Sequence, residues 1–382
     1  MKVVEIRGYQ VGFSPSPAIG NARTFIRRRD FLLLQVITDS GIIGWGEVFS
    51  SPQAAGAFIH ARLAKLVLGQ SPMEYGRLWE VMLSTVGYDR RGVAMMAVSA
   101  LDMALHDIAA RARNVSVAAL LGGAVRERVF AYASGPFIAE HGTAYANYEA
   151  EVEAYLSRGF RAIKPRAGFD PKADGNMARA LRSLLGPDIG LMVDLNQGYT
   201  ARAAIASARH MEEADLLWIE EPVQPEDIGG YRCVAAAVPV AIAGGEALGS
   251  LASFRDFLTA GTLSILQPDM TVCGGYTGFA KVAALAAAYD LPIMPHVFGT
   301  VVHQRAALQV AALLPSRRGG GPAEYPYFEV DATDNPLLNL GGKLEIAADG
   351  TIDVPAEPGT GLDLDPEQFA RWLTGSWRLD WQ

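Results

Sequence analysis

The amino-acid sequence predicts an α/β chain in which a β/α barrel follows a smaller α+β domain. Three observations predict it. The chain has 382 residues, more than one small domain needs and enough for a large barrel with a second core beside it. From residue 129 onward, eight short apolar runs alternate with amphipathic, alanine-rich stretches of helical period. The first 125 or so residues follow another rhythm, strand-like at the start and helical afterwards.

The N-terminus, Met1-Lys2-Val3-Val4-Glu5-Ile6, reads as a strand and lacks the apolar stretch and small-residue cleavage site of a signal peptide. Ser14-Pro15-Ser16-Pro17 opens a polar, glycine-containing stretch before the apolar run Phe31-Leu32-Leu33-Leu34-Gln35-Val36, which predicts a hairpin with a long mobile loop. After Gly44-Trp45-Gly46-Glu47, apolar residues recur every three or four positions over 54–68 and again over 91–113, predicting helices. The barrel runs are 129–133, 162–165, 190–193, 216–219, 240–243, 263–266, 292–294 and 325–330, at intervals of roughly 23 to 33 residues, as strand-loop-helix-loop units require. A doubly wound open sheet shares this alternation, but eight evenly spaced runs favour a closed barrel. The tail after Asp331 is rich in Gly, Pro and Asp and is expected to return to the first domain. The expected domains are therefore 1–125, 126–330 and 331–382.

Half the residues are apolar and 19% are charged, the balance of a globular enzyme rather than a disordered or fibrous chain. The net charge of -8 offers nucleic acid no general attraction, and Arg27-Arg28-Arg29 is the one dense basic block. An acidic protein still binds an anionic carboxylate where a divalent cation and a few cationic side chains dominate the local field. No run looks long and apolar enough to span a bilayer, so no membrane partner is expected. Cys233 and Cys273 have no spacing of a disulfide framework or thiolate metal site, which points to a reducing cytoplasm. Gly319-Gly320-Gly321 reads as a loop, because Pro322 and not Lys-Ser/Thr follows it.

Candidate chemistry lies at the ends of the barrel runs. Lys164, Asp194, Glu220, Glu246 and Asp269 close five successive runs after the first, and strand C-terminal ends share one mouth in a β/α barrel. Asp194, Glu220 and Glu246 follow one another at 26-residue steps, which places three carboxylates on adjacent strands. Any one of them alone reads as a solvated loop acid. Three in register, with no Cys or His ligand, repel one another unless a hard divalent cation sits among them, and oxygen ligands point to Mg²⁺.

His296 follows the seventh run, and Asp269 on the neighbouring strand can hold its other ring nitrogen, fixing the tautomer and raising the base strength of the outward nitrogen. His303, one helical stretch away, reads as structural. Lys164 and Arg166 are two residues apart on one face and read as substrate ligands rather than surface cations, since their strand is interior. Glu329, at the end of the eighth run, reads either as a solvated acid or, if protonated, as a hydrogen-bond donor to an enolate oxygen.

Ser99-Ala100-Leu101-Asp102-Met103-Ala104-Leu105-His106-Asp107, Leu120-Leu121-Gly122-Gly123, Trp218-Ile219-Glu220-Glu221-Pro222, Gly244-Gly245-Glu246, Gln267-Pro268-Asp269 and Cys273-Gly274-Gly275 occur in that order. Together they resemble the mandelate racemase subgroup of the enolase superfamily over almost the whole chain. The resemblance implies a modified TIM barrel, (β/α)7β, with an α+β capping domain formed by the N-terminal segment and the C-terminal tail. It implies that Asp194, Glu220 and Glu246 bind Mg²⁺, that Asp269 and His296 form a dyad, that Glu329 faces the substrate carboxylate, and that Asn196 and Glu221 stand beside the metal ligands. It also implies a homo-oligomer. Asp269 stands where the muconate-lactonising subgroup has a catalytic lysine, and the residues around His296 and Glu329 look like members acting on sugar acids, a galactarolactone cycloisomerase among them.

The subgroup's second strand commonly reads Lys-x-Lys, whereas here Arg166 replaces the second lysine, and a guanidinium stays protonated. The expected activity is Mg²⁺-dependent removal of an α-proton from a sugar acid with loss of the β-hydroxyl, that is, acid-sugar dehydration. Lactone cycloisomerisation, or racemisation or epimerisation, is the alternative on the same scaffold. A barrel that binds without catalysis would need neither the triad nor the dyad. Specificity is expected to depend on loops 14–28 and 49–54.

Overall fold

A computed structural model describes residues 1–88 and 90–382 of the chain. Strands Val3–Phe13, Arg29–Thr38 and Ile43–Val48 form an antiparallel meander, and the last strand, Leu373–Asp380, pairs along the free edge of the first. Strand alternation divides the middle strand between two cores: Leu32, Leu34 and Val36 face the helices of this domain, while Phe31 and Leu33 join the core that continues into the barrel. The segment expected as a long loop carries a small ribbon, Ile19–Gly20 against Phe25–Ile26.

The first predicted helix is Pro52–Phe58, continued by a π turn, Ile59–Leu63, and a last turn, Ala64–Val67. The second is Gly92–Ala112. It lies directly on strand Ile43–Val48, where a Cβ on Gly46 would run into the Ala100 carbonyl, so only glycine lets the helix settle this close. By length and composition this 21-residue helix would pass as a membrane span, contrary to the sequence expectation. It is apolar on most sides because the sheet covers one flank and the barrel helix Gly275–Ala288 another, and most of it is buried.

The barrel strands are Arg128–Ser134, Ala162–Lys164, Gly190–Leu191 continued by Val193–Asp194, Ile219–Glu220, Ile242–Gly244 and Ile265–Leu266, all parallel. The seventh run forms only single bridges, from Ile293 to Leu266 and from His296 to Asp269. Pro292 opens it and Pro295 follows it, and neither offers an N–H to a ladder. The eighth strand, Tyr327–Asp331, pairs with the first and closes the ring. It starts later than expected, since Glu324–Tyr325 belongs to a separate hairpin with Arg317–Arg318, and Pro326 breaks the donor pattern between them. An α-helix follows each of the first seven strands, whereas among the described residues the only helical segments after the eighth are short 3-10 turns, a (β/α)7β barrel. Tyr132, Trp218, Met294 and Tyr327 fill the interior beneath the mouth, with the Trp218 ring 5.6 Å from Tyr132 and 5.7 Å from Tyr327. The tail divides its contacts: Thr351–Asp353 pairs with the first barrel strand, and Leu373–Asp380 completes the first sheet.

Candidate active site

Lys164, Asp194 and Glu220 are the last residues of the second, third and fourth strands, and Glu246 lies two residues beyond the fifth. Parallel register sets Glu220 directly beside Asp194. Carboxylate oxygens of Asp194, Glu220 and Glu246 come within 4.8 Å of one another. Burial raises the pKa of Glu220, and Asp194 and Glu329 add to this against the opposing effect of Lys164. Burial likewise pushes Glu246 up to about 7, with Asp194 and Glu220 adding to it and His296 opposing. Three mutually repelling oxygen donors, Asp194 and Glu220 buried and Glu246 partly exposed at the mouth, suit a hard divalent cation, which would relieve the repulsion. The Asn196 side-chain oxygen beside them is buried without a hydrogen-bond partner among the described residues.

The two cations of the second strand are occupied by these acids. Lys164 Nζ is bonded to Glu220, lies 2.9 Å from Glu329 and is 3.8 Å from Asp194. Burial lowers the Lys164 pKa, but Glu220 and Glu329 outweigh it and hold the amine protonated. Arg166 donates to Asp194 and, at 3.0 Å, to Ser134 Oγ, with its guanidinium 5.3 Å from the Phe137 ring and 5.7 Å from Phe298.

His296 Nδ1 lies 2.7 Å from Asp269 Oδ2. The other Asp269 oxygen accepts from the Thr271 backbone N–H at 2.7 Å and hydroxyl at 2.6 Å. His296 Nε2 points to the triad, 3.3 Å from Glu246 and 3.8 Å from Glu329. Burial lowers the His296 pKa, but Glu246, Glu329 and Asp269 outweigh it and carry it up to about 10. Glu329 departs from the protonated donor considered from sequence. Burial favours its neutral form, but Lys164, His296 and Arg166 hold it well below the usual carboxylate range, and it accepts the Val297 N–H at 3.0 Å.

Asn196 donates to Asp194 through its backbone N–H at 2.7 Å and its amide at 2.9 Å. Glu221 is buried and accepts twice from Gln197 Nε2, at 2.9 Å each. Asn196, Gln197 and Glu221 have φ of 42°, 61° and 41°, the left-handed region that functional turns often occupy. Sequence reasoning missed Gln197, and also Trp218 and Gln267, whose N–H groups hold Glu220 Oε2 at 3.1 and 2.6 Å. Trp218 had a readable signal, because strand alternation puts it on the same face as Glu220. Gln197 had none.

A cavity of about 310 Å³ reaches the triad at Glu246, lined by Asn21, Arg23 and Thr24 of the first domain and by Asn196, Gln197, Glu221 and Glu246 of the barrel. Arg23 reaches across to Gln197 Oε1 at 2.6 Å. The Phe49 ring stands 6.1 Å from the His296 ring, nearly edge-on. Both loops expected to shape specificity thus border the mouth. Arg29, also from the first domain, is buried, pairs with Asp331 at 2.6 Å, donates to the Phe298 carbonyl and stacks 4.2 Å from the Phe298 ring. Arg29→Met should cost about 3–5 kcal/mol by leaving Asp331 buried and short of its cation. A urea denaturation curve checks this, and an unchanged midpoint would contradict it.

Residues 10–122 match the mandelate racemase / muconate lactonizing enzyme N-terminal domain, and residues 147–368 match the enolase C-terminal domain-like family. With this barrel, cap and carboxylate cluster, the chain belongs to the mandelate racemase/muconate lactonizing enzyme family of the enolase superfamily. It is 34% identical over 376 residues to a D-galactarolactone cycloisomerase of Agrobacterium fabrum, covering 97% of this chain and 99% of that one. It is 30% identical over 367 residues to a D-galactonate dehydratase of Cronobacter sakazakii, covering 91% and 94%. A racemase from Streptomyces coelicolor A3(2) with bound magnesium superposes with a TM-score of 0.87 at 28% identity, over 97% of this chain and 99% of that one.

Proposed function

We propose that this enzyme removes the proton α to the carboxylate of a sugar acid or sugar lactone and expels the β-oxygen, with Mg²⁺ as its metal. The observation that carries the reading is the asymmetry of the site. One face has His296 on Asp269, which becomes a base once a cation held by Glu246 cancels the largest charge that keeps its imidazole protonated. The other has Arg166, bonded to Asp194, where a second base would be needed for racemisation. Elimination needs only one base.

Asp194, Glu220 and Glu246 would hold Mg²⁺, which when bound supplies positive charge against the negative charge developing on the substrate carboxylate. Lys164 adds fixed positive charge at the same point. His296 Nε2 takes the α-proton, the carbon–hydrogen electron pair becomes the Cα–Cβ double bond, and the Cβ–O bond breaks. The imidazolium returns its proton to the departing oxygen, and the enol tautomerises to a 2-keto-3-deoxy acid. Glu329, ionised between Lys164 and the Val297 N–H, keeps Lys164 in place. Full-length similarity to a D-galactarolactone cycloisomerase supports a ring oxygen as the leaving group. Similarity to a D-galactonate dehydratase supports the second reading, loss of a hydroxyl from an open chain.

Proton NMR of D-galactarolactone and D-galactonate incubated in D₂O tests both readings. A deoxy keto acid with one deuterium in its new methylene is expected from one of them. Return of substrate inverted at the α-carbon would overturn elimination. Arg166→Met should slow elimination or raise KM on the order of 10- to 100-fold, because Asp194 loses its charged donor and keeps only those of Asn196, yet leave His296-dependent exchange of the α-proton. Wild-type interconversion of both α-configurations that disappears in Arg166→Met would show the arginine acting as a base.

A further inference from the structure

The segment bearing His296 runs through Phe298, Gly299 and Thr300 into helix Val301–Ala311, and the first domain pins it. Glu47, in strand Ile43–Val48, is fully buried. Its carboxylate accepts the Thr300 N–H at 2.9 Å, the Thr300 hydroxyl at 2.5 Å and the His303 N–H at 3.0 Å. A carboxylate of one domain therefore caps a helix of the other. Gly299 makes room for this: a Cβ there would lie 2.8 Å from His303 Nδ1 and collide with the Glu47 carboxylate.

His303, in the first turn of that helix, places Nε2 3.4 Å from Asp269 Oδ1, the oxygen that His296 does not use. Its ring is fully buried, and neither nitrogen has a hydrogen-bond partner among the described residues. Burial raises the pKa of both Glu47 and Asp269, and the His303 imidazole opposes this at each; at Asp269, with His296, it leaves the carboxyl below its ordinary range. Asp269 is thus held by His296 and Thr271 directly and by His303 from behind.

We infer that Glu47 and His303 are positioning residues for His296: Glu47 sets helix Val301–Ala311 against the barrel mouth, and His303 on that helix backs Asp269. The aim of the base then depends on how the first domain seats on the barrel. The inference rests on His296 being the base.

The test uses Mg²⁺-loaded, ¹⁵N-labelled protein, whose six histidines can be assigned by single substitution. Long-range ¹H–¹⁵N spectra report the His296 tautomer and the exchange rate of its Nδ1 proton. In wild type that proton is expected on Nδ1, slow to exchange, and lost in Asp269→Asn. His303→Asn should speed its exchange at least about tenfold and lower kcat about 10- to 100-fold, measured on D-galactarolactone or D-galactonate, with KM unchanged. Glu47→Gln, nearly isosteric, should do the same more weakly and serves if His303→Asn fails to fold. A residue acting through Asp269 adds little once Asp269 is gone, so Asp269→Asn/His303→Asn should be no slower than Asp269→Asn. Multiplying losses in the double variant, or an unchanged His296 signal in both single variants, would overturn the inference. Wild-type α-proton exchange in His296→Asn would instead overturn the base assignment, and the NMR signal would still report on positioning.

Discussion

His296→Asn should lower kcat by about 10²- to 10⁴-fold, the contribution expected of one positioned general base, and should abolish exchange of the α-proton in D₂O. Asparagine occupies similar space and can still meet Asp269, but its amide cannot accept and return a proton at neutral pH. KM should change little, because the groups that would meet the substrate carboxylate, the triad and Lys164, stay in place. Asp269→Asn should fall in the same range, since an amide at the 2.7 Å contact no longer specifies which imidazole nitrogen is protonated. Stopped-time NMR of exchange alongside steady-state kcat measures both. If His296→Asn exchanges the proton at the wild-type rate, the base is another group, and Lys164 is the first candidate by position.

The second large effect concerns Glu220, the central acid of the triad. Glu220→Gln keeps the shape and the contacts to Trp218 and Gln267 but removes one of three negative charges. Turnover should fall by about 10³-fold or more, and calorimetric titration should show weakened Mg²⁺ binding. The fold should survive and, in chelator, gain stability, because burial, with Asp194 and Glu329, disfavours the Glu220 charge by more than its ion pair with Lys164 favours it. The pH dependence has a definite sign. The pKa of Glu246 rises from its ordinary 4.5 to about 7, so its protonated form favours the folded state. That contribution is full below pH 4.5 and is lost as pH rises through 7. Chelated wild-type protein should therefore lose part of its Tm over that interval, and Mg²⁺, by binding the folded state, should restore it. Full activity of Glu220→Gln in chelator would eliminate the metal assignment.

The sequence by itself determined the barrel, the first domain and the placement of one acid or base near the end of successive strands. Each of these is written locally: apolar period marks strand or helix, the 26-residue steps mark repeated units, and Asp194, Glu220 and Glu246 occupy equivalent places in those units. Even the weak seventh strand is local in origin, since Pro292 and Pro295 withhold the donors that a ladder needs. Only the tertiary structure decided how those residues are paired and charged. Arg166 meets Asp194, Lys164 bridges Glu220 and Glu329, and Glu329 stays ionised because barrel closure brings three cations against it in a buried site. Gln197, Glu47 and His303 entered the site in the same way, through contacts between residues far apart in the chain. The reason is physical: periodicity depends on neighbours along the chain, whereas the pKa of a buried group and the partner it finds depend on desolvation and on charges a few ångströms away, which exist only once the ring has closed and the first domain has seated on it.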